Sequence, residues 1–227
     1  MMTRPLTLVF DLDGTLVDSA PDLMGTLNAI LADEGVAPLP LEKAHSLLGA
    51  GARALIERGL ASAGRTVSPE RMEVLFAAFL DRYEARIADA TRAFEGVEEA
   101  LSSLSRDGHV MAICTNKMER HSRLLLQALG LAPRFSAICG RDTFPYFKPD
   151  ARHLTLTVAA AGGDLARTIM IGDSRTDIQT AKNAGLPSIC VDFGYTDVPA
   201  RELGADAVID HFRDLIPAIN ALAARTA

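Results

Sequence analysis

Leu6-Thr7-Leu8-Val9-Phe10-Asp11-Leu12-Asp13-Gly14-Thr15-Leu16 is the stretch that decides the fold. Its first five residues are bulky or β-branched and stop abruptly at a carboxylate, the pattern of a strand buried on both faces in a parallel sheet. Asp11 and Asp13 stand two positions apart, so extended backbone would direct both toward one side. Open α/β sheets bind their ligands outside the carboxyl ends of the strands, which is where this pair falls. Gly14 lets the chain turn tightly and approach a ligand closely. Two such carboxylates suit one nucleophile and one acid/base, provided a cation offsets their repulsion. An ordinary Asp- and Gly-rich turn has the same composition, and the remaining residues have to decide between the two.

Downstream of about Gly96, helical and strand patterns alternate. Val97 to Leu104 reads as a helix stopped near Gly108, and Val110 to Cys114 as a strand. A helix follows through Leu124, Leu125 and Leu129 to Gly130, then a strand over Phe135 to Cys139. Leu154 to Ala161 is expected to be helical, Thr168 to Ile171 extended, and Ile178 to Gly185 helical again. Ser188 to Val191 and Ala207 to Ile209 complete the strands, and Leu215 to Leu222 forms a last helix before a tail, Ala221 to Ala227, expected to fray. Such alternation predicts an α/β fold, a Rossmann-like parallel sheet covered by helices on both faces. From about Ala20 to Arg86 the alternation breaks. Leu23, Leu27, Ile30 and Leu31, then Met72, Leu75, Phe76, Phe79 and Tyr83, follow the i, i+3, i+4 stripe of amphipathic helices. An all-α block inserted here would sit above the carboxyl end of the first strand as a lid. The expected division is 1–17 and 88–227 for the α/β core and 18–87 for the helical cap.

The chain has 227 residues, 48% hydrophobic and 23% charged, enough to build a full core. A net charge of −6 without a dense Lys/Arg block argues against a nucleic-acid partner. No segment reaches the roughly 18 apolar residues of a membrane span. Met1 to Pro5 leads into an apolar stretch too short and too soon acidic for a secretory signal. Cys114, Cys139 and Cys190 are widely spaced in apolar runs, as core thiols in a reducing compartment would be, so cytoplasm is the expected location.

Three further strand ends carry polar groups. Thr115-Asn116-Lys117 offers a hydroxyl, an amide and backbone N–H groups near a helix start, suited to phosphate oxygens or equally to a helix cap. Gly172-Asp173-Ser174-Arg175-Thr176-Asp177 adds two more carboxylates; capping accounts for one of them but not for acids gathering at two strand ends. Four carboxylates meeting there would call for a hard cation such as Mg²⁺. Phe147-Lys148-Pro149-Asp150 supplies a lysine that the same charge balance requires.

Together these residues resemble the haloacid dehalogenase superfamily of hydrolases. Asp11 to Leu16 is similar to its first motif, Thr115 to its second, Lys148 to its third and Gly172 to Asp177 to its fourth, in order over essentially the whole chain. The helical insertion resembles the family's first type of cap. The resemblance implies a Mg²⁺-dependent phosphomonoester hydrolase in which Asp11 is the nucleophile and becomes an aspartyl phosphate, and Asp13 is the acid and base. It implies Mg²⁺ on Asp11, the Asp13 carbonyl and Asp173, with Ser174 and Asp177 orienting the surroundings, and phosphate oxygens on Thr115, Asn116 and Lys148. Leu48-Gly49-Ala50-Gly51-Ala52-Arg53-Ala54-Leu55 is similar to a cap segment of phosphoglycolate phosphatases, whereas Asp150-Ala151-Arg152-His153 departs from the Pro-rich run common there. Gly49 to Gly51 would present amides to a small anion and Arg53 would pair with its carboxylate, though a capped helix with a solvated Arg53 accounts for the same residues. His45 and Arg86 are weaker candidates. The expected partner is a small phosphorylated metabolite, with 2-phosphoglycolate favoured, and the chain a monomer or homodimer. A sugar-phosphate phosphatase, a β-phosphoglucomutase-like phosphotransferase and a non-catalytic phosphate-binding module are the alternatives.

Overall fold

The computed structural model describes residues 5–224; the expectations for Met1 to Arg4 and for the end of the tail, 225–227, fall outside them. Strand β1 (Thr7–Phe10) is followed by a two-residue strand β2 (Val17–Asp18) and four helices, α1 (Ala20–Asp33), α2 (Ala44–Leu47), α3 (Ala52–Ser62) and α4 (Pro69–Glu84). A second two-residue strand, β3 (Arg92–Ala93), pairs antiparallel with β2. Helices and strands then alternate through α5 (Val97–Arg106), β4 (Val110–Cys114), α6 (Glu119–Ala128) and β5 (Ala137–Cys139). They continue through α7 (Ala151–Ala160), β6 (Thr168–Gly172), α8 (Arg175–Asn183) and β7 (Ser188–Val191) to β8 (Ala207–Ile209) and α9 (Leu215–Ala223).

Six strands form one parallel sheet in the order β5-β4-β1-β6-β7-β8. β1 is central because its side chains are apolar on both faces. Leu8 and Phe10 join Ile113, Ile171 and Val191 under α5 and α9, while Val9 joins Ala112 and Met170 under α7 and α8. All of these are buried, each large side chain contributing about 1.5–3 kcal/mol. Phe10 is in register with Ile113 on β4 and Ile171 on β6, so the carboxyl ends of β4, β1 and β6 finish level and adjacent. The chain crosses from the β4 side of β1 to its β6 side, which makes this edge a topological switch point.

Two elements differ from expectation. β5 starts at Ala137, since Pro133 lies in a 3-10 turn over Ala132–Arg134 and Phe135 packs into the core beside it. Residues Ala221 to Ala223, expected to fray, continue α9, held by Leu222 in the core. The helices from Ala20 to Glu84 enclose a separate apolar cluster, with Leu27, Ile30 and Leu31 of α1 meeting Leu55 and Ile56 of α3 and Leu75 and Phe79 of α4. The three cysteines are buried and free.

Candidate active site

β1 ends in a hydrogen bond from the Asp11 N–H to the Ile171 carbonyl (2.9 Å), which fixes Asp11 against β6. The Asp11 Oδ1 accepts from the Leu12 N–H at 2.7 Å and lies 3.0 Å from the Lys148 ammonium. Lys148, buried on the loop after β5, also donates to Asp177 Oδ1 at 2.5 Å. The other Asp177 oxygen accepts from the Ser174 N–H (3.0 Å) and hydroxyl (2.7 Å), a capping box that starts α8. Asp173 accepts from the Thr15 hydroxyl (3.0 Å) and the Tyr195 N–H (2.6 Å). Gly14, at φ 82°, leaves room for the Asp173 carboxylate: a Cβ there would overlap it.

Carboxylate oxygens of Asp11, Asp173 and Asp177 lie within 4.8 Å of one another, all buried. Burial pushes the Asp11 carboxyl up to about 7; the Lys148 charge pulls against that rise and Asp177 adds to it. Burial, with Asp177 and Asp11, raises the Asp173 carboxyl well above the ordinary carboxylate range. Burial opposes the charge on Lys148, yet Asp11 and Asp177 outweigh it and hold the ammonium above its usual value. One cation therefore faces three acids. An all-oxygen donor set short of positive charge fits a hard divalent cation.

Asp13 parts from that cluster. Asp13 lines the same cleft as Asp11, the common side expected of the pair, but its carboxylate is not one of the three clustered acids. Asp13 instead accepts from the Ser19 hydroxyl (2.6 Å) and forms a two-pronged ion pair with Lys117, both contacts 3.0 Å. Lys117 also donates to the Tyr83 hydroxyl of α4 at 2.7 Å, tying the acid to the helical block. The side chain of Lys117 and that of Tyr83, read from sequence as backbone donor and core stripe, were not expected at the site. Their only signal was adjacency: Lys117 follows Thr115 and Asn116 directly.

At the end of β4, the Thr115 oxygen accepts from the Lys117 N–H (3.2 Å), which leaves its O–H to donate. The Asn116 side-chain N–H₂ is engaged by the Lys148 carbonyl (3.1 Å), leaving its buried Oδ1 without a partner. A cleft of about 500 Å³ opens between the sheet edge and the helices, lined by Asp11, Asp13, Thr115 and Asn116 on one side and Gly49 to Arg53 on the other. Arg53 has a partner of its own, Glu73 on α4, at 2.7 and 2.8 Å. His45 packs edge-on against Tyr195 and faces the Gly194 carbonyl, and Arg86 pairs with Asp89; neither lines the cleft.

A strand-end acid cluster, a buried lysine and a helical block over the sheet edge define a class, and comparison with known proteins agrees. The chain belongs to the haloacid dehalogenase-like hydrolase family, whose profile matches residues 8–191. It is 51% identical over 209 residues to a phosphoglycolate phosphatase of Caulobacter vibrioides, covering 92% of this chain and 88% of that one. With a phosphoglycolate phosphatase of Mesorhizobium japonicum it shares 47% identity, covering 93% and 92%. A crystal structure from Haemophilus somnus, described as a predicted phosphoglycolate phosphatase, superposes with a TM-score of 0.88 at 27% identity, covering 96% and 99%.

Proposed function

We propose that the chain is a Mg²⁺-dependent phosphatase that hydrolyses 2-phosphoglycolate through an aspartyl phosphate on Asp11. The observation that carries this reading is the position of Asp11 on the cleft floor: buried, locked to Lys148 and Leu12 N–H, with a second acid alongside in the same cleft. Relatives at 51% and 47% identity, both phosphoglycolate phosphatases, support the substrate.

The phosphate would rest on the Thr115 hydroxyl, the Asn116 N–H and the Lys148 ammonium. An Asp11 oxygen attacks phosphorus as the bond to the ester oxygen breaks, and Asp13, in its protonated form, gives that oxygen a proton which it regains from the attacking water in the next step. Asp13, now ionised, removes a proton from a water that attacks the phosphorus. The acyl-phosphate bond then breaks, releasing phosphate and restoring Asp11. Asp11, Asp173 and the Asp13 carbonyl would hold Mg²⁺, which when bound neutralises phosphate charge and lets an anionic nucleophile approach. Lys148 supplies the fixed part of that charge, and Ser174 and Asp177 hold Lys148 and the Asp173 backbone in place. Lys117 keeps Asp13 within the cleft. Residues 18–87 act as the cap: Gly49 to Gly51 turn over the phosphate site, the α3 N-terminus lacks a side-chain cap, and the charge of Arg53 at the rim is met by Glu73. The expected setting is a cytoplasmic monomer or homodimer with no nucleic-acid or membrane partner. Among the described residues no helix is long and apolar enough to cross a membrane.

Phosphate release from a panel of small esters tests the reading. The expected result is Mg²⁺-dependent turnover with 2-phosphoglycolate preferred, abolished in a folded Asp11→Asn variant. Turnover that survives Asp11→Asn, or that needs no divalent ion, would reject the mechanism; a preference for a hexose phosphate would reject the substrate.

A further inference from the structure

Arg141 stands in the cleft without an acidic partner. Its N–H donates to the Lys117 carbonyl (2.9 Å), anchoring the residue to the Thr115–Lys117 loop. Its guanidinium carbon lies 3.8 Å from the centroid of the Phe147 ring, so one face of the planar group is covered by the ring while its N–H edges stay open. The neighbouring Asp142 lines the same cleft, but its Oδ1 accepts from the Glu119 N–H at 2.8 Å and it forms no ion pair with Arg141 among the described residues.

The other cations of the cleft are matched. Lys148 has Asp11 and Asp177, Lys117 has Asp13, and Arg53 has Glu73. Among the described residues no carboxylate pairs with Arg141, although it is half-buried. Burial and the nearby charge of Arg53 both work against its ionised form, so an anion lodging there would relieve both. The guanidinium also sits where the two halves of the site meet. The Asn116 carbonyl and an Arg141 terminal nitrogen both lie within 4 Å of a single point, the position a Cβ on Gly51 would occupy. Gly51 has φ 89°, a conformation that holds the α3 entrance against both groups. A terminal nitrogen of Arg141 thus lies near the backbone of Asn116, one of the residues assigned above to the phosphate, on the same side of the cleft.

We propose that Arg141, rather than Arg53, receives the carboxylate of the substrate, using the open edge of its guanidinium while phosphate sits at the end of β4. This rests on the phosphatase reading above and names the residue that makes the enzyme selective for an acidic ester. A carboxylate there would take two parallel N–H···O bonds. An ester with a neutral group in its place would leave the guanidinium unmatched.

The experiment compares 2-phosphoglycolate with 2-hydroxyethyl phosphate, in which a CH₂OH group replaces the carboxylate, as kcat/KM on the full chain with Mg²⁺. In the unaltered protein 2-phosphoglycolate is expected to be preferred. In Arg141→Gln that preference falls about 10- to 100-fold, the loss carried by 2-phosphoglycolate, with 2-hydroxyethyl phosphate within about threefold of its original rate. Arg141→Lys restores part of the preference, since charge returns without the fork. A preference left intact in Arg141→Gln overturns the proposal, as does an equal fall on both esters or a preference erased by Arg53→Ala instead. Turnover of both esters without preference in the unaltered protein overturns the substrate reading itself, a distinct result seen before any variant is made.

Discussion

Lys117 joins three groups that no local pattern connects: Asp13, the Tyr83 hydroxyl and, through its carbonyl, Arg141. Its ammonium gives Asp13 two contacts and Ser19 adds another, so the side chain is held rather than free to rotate. Loss of that hold should matter most when the leaving oxygen needs a proton. Lys117→Ala is therefore expected to slow an alkyl ester about 10- to 100-fold, part of the 10²–10⁴ that general acid catalysis supplies. p-Nitrophenyl phosphate, whose leaving group departs without an acid, should lose far less in phosphorylation. Single-turnover rates on the two esters check this, and equal losses would assign Lys117 to phosphate binding instead. Asp13→Asn should show the same contrast more steeply. By comparison, Lys148→Ala leaves Asp11 and Asp177 buried without their cation, so it is expected to destabilise the metal-free protein by about 3–5 kcal/mol as well as to weaken phosphate binding. Urea unfolding beside steady-state kinetics separates the two effects.

Among the elements, what could be read in advance was whatever is written locally. Apolar runs that stop at Asp11, Thr115 and Asp173 mark strand ends, and the stripes of α1 and α4 mark helices, because burial imposes its period on neighbouring residues. Pairings across the chain leave no such trace. Lys117 meets Tyr83 from 34 residues away and Arg53 meets Glu73 from 20, and only folding shows that the first brings a cation to the acid while the second occupies an expected ligand. The start of α7 shows the same limit. His153, part of a run that reads as a departure from relatives, is fully buried, with Nε2 facing the Gly140 carbonyl at 3.1 Å and Nδ1 without a partner. Burial, and then the Lys148 charge, lower it from 6.5 to about 4. Between those values the unfolded chain binds a proton that the folded one refuses, so stability present above pH 6.5 drains as pH falls toward 4. The loss is roughly 3 kcal/mol at the lower end. Asp11 and Asp173, whose raised values act in the opposite sense, are unchanged in a His153→Leu variant and cancel in the difference. Urea unfolding of both metal-free proteins across this range should show the stability of the original falling relative to the variant as pH drops; parallel profiles would mean His153 is protonated in the fold.

At the scale of the whole molecule, the helical block is joined to the sheet by two crossings, the β2 and β3 segments, and Asp22 clamps them. Buried in the first turn of α1, it accepts from the Ala90 N–H (3.1 and 3.0 Å), the Thr91 N–H (2.8 Å) and the Thr91 hydroxyl (2.7 Å). The return crossing is therefore held to the outgoing one by a charged acceptor shared among three donors. Tyr195 reinforces the same junction from the core. Its hydroxyl donates to Asp18 (2.5 Å) and accepts from the Ala20 N–H (2.8 Å), while its own N–H binds Asp173. Asp173 and the base of the helical block thus share one rigid residue, so the geometry of the acid cluster and the seating of the cap are set together. Replacing Asp22 by Asn keeps the shape but removes the charge and one acceptor, leaving at least one buried donor unmatched at about 1–3 kcal/mol. Amide exchange at Ala90 and Thr91 should then accelerate by about 5- to 100-fold, with the amides of β1 and β6 protected as before unless the entire fold loosens. A cap seated less firmly also closes less often, so kcat/KM for 2-phosphoglycolate should fall in Asp22→Asn although the substitution lies outside the cleft. Exchange at Ala90 and Thr91 that does not change would place the hinge elsewhere. Faster exchange with full activity would show that these crossings tether the cap without governing its closure.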